Sequence, residues 1–325
     1  MTLAPVFAHI DPETALRALA GVVQRTPLLP FPSGDPDIEL RVKLECLQET
    51  GAFKARGAWN QIRQLDAGAR RAGVVATSSG NHGKALAWAA ARAGVPATIF
   101  MPADAYPNKI AACRDAGADV ELLPTREAAE TACAERIAAG AVLVHPYDSA
   151  RTIEGAGTVG VEIAAEWPQV DVVVVPVGGG GLIAGVALAL RRALGERVRV
   201  LGAEPTGART LGRALAAGTP VLLENIDTAI QGLCPMSLGQ ANLEICVALG
   251  VRAHALPDAA ILATQRALVV DGGWTVEPAG AAAVAAVLGG AVPFEWRARR
   301  PLRVAAIVSG GNPDPAQLAA LRAGA

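Results

Sequence analysis

One lysine lies in a sequence context that suits an amine nucleophile. Lys54 follows Phe53 in the segment Gly51–Ala58, which is rich in small residues, and it comes just before a predicted helix at Gly57–Leu65. Small neighbours allow a flat ligand to approach closely, and a desolvated lysine amine can attack a carbonyl carbon. An isolated lysine is more often a solvated surface charge, so this segment alone leaves both interpretations open.

A polar loop, Ser78–His82, separates a predicted strand at Val74–Thr77 from a predicted helix at Gly83–Ala93. Backbone N–H groups at the start of a helix form an anion site. The loop is not a Walker A sequence, because Ala85 stands where that motif needs Ser or Thr. The structural alternative is a capping loop whose Ser and Asn side chains satisfy the helix N-terminus.

Four consecutive glycines, Gly178–Gly181, connect a predicted strand that starts at Val172 to a predicted helix at Leu182–Leu194. Glycines cost chain entropy, and their expected use here is to bring backbone N–H groups close to a phosphate. The dipole of the following helix favours the anion.

The same glycines also support an NAD-binding Rossmann oxidoreductase. Gly179-x-Gly181-x-x-Ala184 fits the dinucleotide-binding pattern. Glu204 follows about 20 residues later, at the end of the next predicted strand, where a ribose ligand is expected. This alternative leaves the Lys54 segment and the polar loop without a role.

A further polar residue ends a predicted strand near the C-terminus. Ser309 follows the strand Val304–Val308 and precedes Gly310-Gly311-Asn312. Side chains at the carboxyl end of a parallel strand point into the crevice where α/β sheets bind ligands. The structural alternative is a glycine turn that leads to a last helix starting at Pro315.

The alternation of predicted strands and helices indicates an α/β fold with parallel sheets flanked by helices. At roughly 100–200 residues per domain, 325 residues suggest two domains. We expect residues 74–146 to form a smaller α/β domain inserted into a larger one made of residues 1–73 and 147–325. The other predicted elements are helices at Pro12–Val23, Asn108–Ala116, Glu127–Ala139 and Gly280–Leu288, and strands at Leu40–Glu45, Ala97–Met101, Asp119–Leu123 and Val198–Ala203.

Composition argues against several classes of protein. With 29 basic and 30 acidic residues and 4% aromatics, the chain has no basic excess and few stacking residues for nucleic acid. The uncharged stretch Val172–Leu190 contains Pro176 and the four glycines, so we interpret it as strand, loop and helix rather than a membrane span. Five scattered cysteines and the lack of a signal peptide favour a cytoplasmic protein.

Taken in order, the motifs resemble the fold-type II pyridoxal-phosphate enzymes, specifically the serine/threonine dehydratase and serine racemase family. The resemblance implies a two-domain, tryptophan synthase β-like fold with pyridoxal 5′-phosphate in the cleft, a small amino-acid substrate, and a homodimer or higher homo-oligomer. The motifs that carry it are Arg25–Leu28, Gly51–Ala58, Ser78–Gly83, Gly178–Leu182, Glu277–Ala281 and Ser309–Asn312.

The resemblance also implies a role for each motif. Lys54 would hold the cofactor as a Schiff base and later act as the base at the substrate Cα, while Phe53 would pack beside the ring. Asn81 would hydrogen-bond the pyridine 3-oxygen, and Ser309 would meet the pyridine nitrogen. The phosphate would be bound by the amides of Gly178, Gly179, Gly180 and Gly181, the substrate by Ser78, Ser79, Gly80 and His82, and Ser79 would face the cofactor opposite Lys54.

The activity implied is β-elimination of water from a small β-hydroxy amino acid such as L-threonine or L-serine, which yields a 2-keto acid and ammonia. A serine-type racemase and a 3-hydroxyaspartate dehydratase are alternatives within the same family. The family's divalent-cation site uses an acidic residue, a carbonyl and a second acidic residue. Glu204 and Ala208 match the first two, but Thr210 occupies the third, so a metal is left open. Substrate choice is expected to depend on residues near Ala52, Ala156 and Gln231–Ser237.

Overall fold

Two separate β-sheets organise the protein. The structure is a computed structural model that describes residues 7, 9–78, 80–297 and 301–324. The strands in chain order are β1 Leu28–Phe31, β2 Ile38–Leu44, β3 Val74–Thr77, β4 Ala97–Pro102, β5 Asp119–Leu123, β6 Val142–Leu143, β7 Val172–Pro176, β8 Arg199–Pro205, β9 Arg252–Leu256 and β10 Leu302–Val308.

The larger sheet has six strands in the order β1-β2-β10-β7-β8-β9, and only the edge strand β1 runs antiparallel to its neighbour. The smaller sheet has four parallel strands in the order β5-β4-β3-β6. Both sheets confirm the predicted α/β class. Parallel strands need crossover connections, and helices supply them here.

Helices cover the sheets and account for the buried character of the strands. In β7, Val172 and Val174 pack into one apolar core, whereas Val173 and Val175 pack into the core on the opposite face. The helices are α1 Pro12–Leu19, α2 Lys54–Ile62, α3 Ala67–Ala72, α4 Asn81–Ala93, α5 Pro107–Asp115, α6 Arg126–Ala138, α7 Ala150–Glu166, α8 Gly181–Leu194, α9 Thr210–Ala217, α10 Gln240–Ala248, α11 Asp258–Val270, α12 Pro278–Leu288 and α13 Pro315–Ala323.

Glycines let α7 approach its neighbours closely. A Cβ on Gly155 would lie 2.6 Å from the carbonyl oxygen of Arg56 in α2, and one on Gly157 would lie 2.7 Å from that of Gly185 in α8. Side chains at these positions would therefore force the helices apart. This packing fixes α2, whose first residue is Lys54, against the larger sheet's helices.

The smaller sheet takes part of its core from outside residues 74–146. Ala58 and Ile62 of α2 pack with the residues of β3 and β4, so α2 lies between the two sheets. The division into two domains at residues 73 and 147 stays a prediction. None of the helices in the described ranges has the length and hydropathy that a membrane span requires.

Candidate active site

A cleft of about 810 Å³ opens at the carboxyl ends of strands from both sheets. Its walls include Thr77 at the end of β3, Pro176 at the end of β7 and Ser309 just beyond β10. This is the position where parallel α/β sheets bind ligands. Of the predicted site residues, the cleft is lined by Phe53, Lys54, Ser78, Gly80, Asn81, His82, Gly178, Gly179, Gly180, Gly181 and Ser309.

Lys54 presents its amine to this cleft from the start of α2. Its Nζ donates a hydrogen bond of 2.7 Å to the carbonyl oxygen of Pro146 and lies 5.0 Å from the centre of the Phe53 ring. Burial lowers the pKa of Lys54 to about 8, because the charged form loses water contacts that no carboxylate replaces. An amine with that pKa is partly neutral near physiological pH and can act as a nucleophile.

The lowered pKa predicts how cofactor attachment responds to pH. The neutral amine reacts with an aldehyde, so the rate constant for covalent attachment to the cofactor-free protein should rise with pH through a midpoint near 8. About a tenth of Lys54 would be neutral at pH 7. Stopped-flow absorbance from pH 6 to 10 gives the profile, and Nα-acetyl-lysine amide, measured in parallel with the same aldehyde, gives the profile of an ordinary lysine. A midpoint near 10.5, the ordinary value, would contradict the prediction.

The Lys54 segment is tied directly to the turn that carries Ser309. The Phe53 N–H donates to the carbonyl oxygen of Ser309 at 3.1 Å, and Ala52 forms an isolated bridge with Gly310. Ser309 itself is 5% exposed, so a ligand atom that meets its hydroxyl must lie deep in the cleft. The structure thus brings together Phe53 and Ser309, which are 256 positions apart in the sequence.

The glycine loop forms a cradle that has no room for side chains. A Cβ on Gly179 would fall 2.2 Å from the Tyr147 ring, and one on Gly181 would fall 2.6 Å from the Tyr147 carbonyl oxygen. Gly180 has φ +92°, a left-handed conformation that favours glycine. Within the described part of the chain, no side chain caps the N-terminus of α8 at Gly180, so the backbone N–H groups of this loop are suited to hold a phosphate.

Asn81, the first residue of α4, is held by residues from distant parts of the chain. Its Nδ2 donates to Glu277 Oε1 at 2.5 Å, and its Oδ1 accepts from Asn312 Nδ2 at 2.8 Å. Burial raises the pKa of Glu277 to about 7, although the hydrogen bond from Asn81 acts in the opposite direction. Sequence reasoning assigned a role to Asn81 but missed these two partners.

In the polar loop, Ser78 and His82 both make contacts within the protein itself. The Ser78 hydroxyl accepts from the N–H groups of Gly80 and Gly83 at 3.3 and 3.1 Å, so it stabilises the loop itself. His82 contacts the carbonyl oxygen of Val144 at 2.8 Å, and burial lowers its pKa to about 3, which keeps the ring neutral. The roles of Ser78, Gly80 and His82 in substrate binding stay predictions, and Ser79 lies outside the described residues.

Glu204 is occupied by a structural task. Its Oε2 and Oε1 accept from the N–H groups of Leu211 and Gly212 at 2.8 and 2.9 Å, at the start of α9. Thr210 donates its hydroxyl proton to the Gly178 carbonyl oxygen at 2.8 Å. Both carboxylate oxygens are therefore engaged, and Glu204 is fully buried.

Glu204 caps α9 instead of presenting its carboxylate to a cation or a ribose. Ala208 offers its backbone carbonyl, but the position that would supply the second acidic ligand of a cation holds Thr210. Among the described residues, no group of three or more His, Cys, Asp or Glu side chains is placed to hold a metal ion. The NAD alternative loses its expected ribose ligand for the same reason, because Glu204 caps a helix instead.

Sequence reasoning missed Tyr106 and Lys109, which line the cleft and contact Gln231. At the cleft mouth, Gln231 Nε2 donates to the Tyr106 hydroxyl at 2.9 Å, and Lys109 Nζ donates to Gln231 Oε1 at 3.2 Å. These bonds join α5 to the segment before α10. Of the residues expected to govern substrate choice, Gln231 lines the cleft, whereas Ala52 and Ala156 are completely buried in the interior.

The Lys54 amine and the Gly178–Gly181 loop, which is suited to bind phosphate, line the same cleft of a parallel α/β fold. This combination characterises a pyridoxal-phosphate enzyme. A sequence profile of the family described as "Pyridoxal-phosphate dependent enzyme" matches residues 19–310, and the chain belongs to this family. The recognition of the family from the ordered motifs is thereby confirmed, and pyridoxal 5′-phosphate is the cofactor.

The chain is also similar to several individual enzymes of known name. The chain is 38% identical over 314 residues to L-threonine ammonia-lyase of Thermotoga maritima, covering 94% of this chain and 75% of that one. It is 36% identical to phenylserine dehydratase of Ralstonia pickettii, covering 87% and 86% of the two chains. The solved structure of maize serine racemase superposes with a TM-score of 0.89 at 36% identity, over 95% of this chain and 94% of that one.

Proposed function

We propose that the protein is an ammonia-lyase that eliminates water from a small β-hydroxy amino acid, such as L-threonine or L-serine, to give a 2-keto acid and ammonia. The observation that carries the proposal is the partly neutral amine of Lys54 in the cleft that also holds the glycine cradle and Ser309. The names of the Thermotoga and Ralstonia relatives support a lyase of this type.

In the proposed reaction, Lys54 Nζ first bonds the cofactor and then, when the substrate amine has displaced it, takes the proton from the substrate Cα. Bound pyridoxal phosphate supplies the electron-withdrawing ring that stabilises the negative charge left at Cα. The β-hydroxyl leaves with a proton as water, and a second water later replaces the nitrogen, so that a 2-keto acid and ammonia are released. The atoms therefore balance without any further reactant.

Ser309 favours elimination over reactions that need a long-lived carbanion. It presents an uncharged hydroxyl where the pyridine nitrogen is expected, and a hydroxyl, unlike a carboxylate, does not enforce a protonated ring. Negative charge at Cα is then less delocalised, and prompt departure of the β-hydroxyl is favoured. The Ser78 hydroxyl engages the N–H groups of Gly80 and Gly83, so the other N–H groups at the start of α4 are the ones suited to bind the substrate carboxylate next to this point.

A product assay tests the proposed function. We expect keto acid and ammonia in equal amounts from L-serine or L-threonine, with formation of the D-enantiomer slower or absent. The assay combines keto-acid and ammonia detection with chiral chromatography across L-serine, L-threonine, 3-phenylserine and 3-hydroxyaspartate. The Lys54→Ala protein is the matched control, because it keeps the cleft but lacks the amine.

Two outcomes would replace the proposal with an alternative of the same family. D-amino acid that accumulates faster than keto acid would make the protein a racemase, and the loss of that activity alone in Ser79→Ala would identify the proton donor. Turnover confined to 3-hydroxyaspartate would change the substrate. A cytoplasmic homodimer or higher homo-oligomer is part of the same proposal, and sedimentation analysis of the purified chain tests its oligomeric part.

A further inference from the structure

A directed chain of hydrogen bonds runs behind the cleft through Asn81. Lys84 Nζ donates to Asn312 Oδ1 at 2.9 Å, and Asn312 Nδ2 donates to Asn81 Oδ1 at 2.8 Å. Asn81 Nδ2 then donates to Glu277 Oε1 at 2.5 Å. The chain starts at an ammonium and ends at a carboxyl group, and every link points in the same direction.

This chain determines which way the Asn81 amide faces. If the amide rotated by 180°, its nitrogen would meet the donor of Asn312 and its oxygen would meet the carboxyl oxygen of Glu277. Both contacts would be unfavourable while Glu277 is ionised, because a donor would face a donor and an acceptor would face an acceptor. The amide nitrogen carries two hydrogens, and only one has a partner within the described ranges. The other is available to a ligand in the cleft.

Asn312 is itself fixed from another side. Its Nδ2 also donates to the carbonyl oxygen of Thr50 at 2.8 Å, in the turn that leads to Lys54. A Cβ on Gly51 would lie 2.8 Å from Asn312 Oδ1, so the turn packs directly on the amide. The orientation of Asn312 is therefore coupled to the position of the Lys54 segment.

The charged groups at the two ends of the hydrogen-bond chain reinforce the direction of its hydrogen bonds. Burial lowers the pKa of Lys84 and raises the pKa of Glu277 to about 7, so both ends are partly desolvated. Hydrogen bonds in series polarise one another in such surroundings. A carboxylate that accepts from Asn81 Nδ2 and an ammonium at the other end both hold the amide in the observed orientation.

We propose that Lys84, Asn312 and Glu277 are positioning residues that aim the Asn81 amide nitrogen at the 3-oxygen of the cofactor. The inference rests on the role proposed for Asn81 as the ligand of that oxygen. It extends that role to three residues that do not need to touch the cofactor ring.

Binding to the cofactor-free full-length protein tests the inference without relying on turnover. Dissociation constants are measured by absorbance titration for pyridoxal 5′-phosphate and for 3-deoxypyridoxal 5′-phosphate, which lacks the 3-oxygen. Asn312→Asp keeps an acceptor for Lys84 but loses the hydrogens that face Asn81, so the Asn81 amide should turn round. We expect its affinity for pyridoxal phosphate to fall about tenfold, with a change below about twofold for the deoxy analogue.

A second variant tests the same chain through its far end. Lys84→Met removes the ammonium and should weaken binding of pyridoxal phosphate about threefold, again with little change for the analogue. Lys109→Met is the matched control, because Lys109 also acts electrostatically on Glu277 but is not part of the chain. Ser309→Ala should weaken binding of both compounds by the same factor.

The controls separate failure of this inference from failure of the site assignment. If Asn81→Ala weakens both compounds equally, Asn81 is not the ligand of the 3-oxygen and the inference falls with that role. If Asn81→Ala selectively weakens binding of pyridoxal phosphate, the role of Asn81 stands. Only the positioning inference is then overturned if both chain variants weaken binding of the two compounds equally, or if they change the binding of neither compound. Thermal melts monitored by circular dichroism identify a variant that has lost its fold. If either Asn312→Asp or Lys84→Met has lost its fold, the binding data of the other variant test the inference. Keto-acid production tests the lyase proposal independently.

Discussion

Replacement of Lys54 with alanine is expected to lower keto-acid formation by at least about 10⁴-fold and to abolish covalent attachment of pyridoxal phosphate. The effect should be this large because one amine performs both tasks, bonding the cofactor and removing the Cα proton. Alanine keeps the helix start of α2 and removes only the amine. Borohydride reduction followed by peptide mapping measures attachment, and the keto-acid assay measures turnover.

Lys109, a second lysine that lines the cleft, provides a matched control. Lys109→Ala removes an exposed amine that contacts Gln231, and this variant should keep both covalent attachment and turnover within about tenfold of the parent protein. A reduced adduct mapped to Lys43, Lys84 or Lys109 in the parent protein would contradict the assignment of Lys54. Full attachment in Lys54→Ala would have the same consequence.

The parts of the site that follow strand ends could be predicted from the sequence. Gly178–Gly181 and Ser309 closely follow β7 and β10 and line the cleft, as expected. The strands before the glycines and Ser309 are recognisable from their apolar, β-branched residues. In parallel sheets the carboxyl end of each strand meets the ligand crevice, so local sequence is enough to place these residues together.

The residues that were missed depend on contacts between distant segments. Tyr147 packs on Gly179, and Glu277 and Asn312 meet Asn81 from segments more than 190 positions away in the sequence. The strand before Tyr147, β6, is two residues long and gives no periodic pattern. Glu277 and Asn312 belong to motifs that the sequence marked, but no local signal shows which distant residue each side chain contacts.

Helix α7 was missed for a related reason. Its sequence contains Gly155, Gly157 and Gly160, and glycine disfavours an isolated helix by about 1 kcal/mol per residue. The structure shows that these glycines contact the backbones of α2 and α8, where any Cβ would collide. Tertiary packing outweighs propensity here, and the helix becomes understandable only when its neighbours are known.

The same α2–α7 contact contains a buried charge network that the sequence did not reveal. Arg56 Nε lies 2.8 Å from Glu45 Oε2, Arg56 Nη1 lies 2.6 Å from Glu162 Oε1, and Lys43 Nζ lies 2.8 Å from Glu162 Oε2. None of the four side chains is more than 2% exposed, so each charge depends on its partners rather than on water. Burial raises the pKa of Glu45, but the charge and hydrogen bonds of Arg56, together with the Thr26 hydroxyl and the charge of Lys43, outweigh burial and hold the pKa below its ordinary value.

Arg56→Met should therefore lower the free energy of unfolding by about 3–5 kcal/mol, because it leaves Glu45 and part of Glu162 buried without a counter-charge. Urea unfolding monitored by circular dichroism measures the change. The control is Arg126→Met, which removes an exposed pair with Glu130 in α6 and should cost less than about 1 kcal/mol.

A double variant distinguishes an orphaned charge from simple loss of packing. Arg56→Met combined with Glu45→Gln removes the carboxylate that the single variant leaves unpaired, so it should recover part of the lost stability. If packing of the arginine side chain were the main contribution, the two changes would add and the double variant would be the less stable. Since Arg56 lies two residues after Lys54 in the same helix, recovery would show that α2 tolerates loss of this arginine beneath the reactive amine only when the facing carboxylate is removed as well.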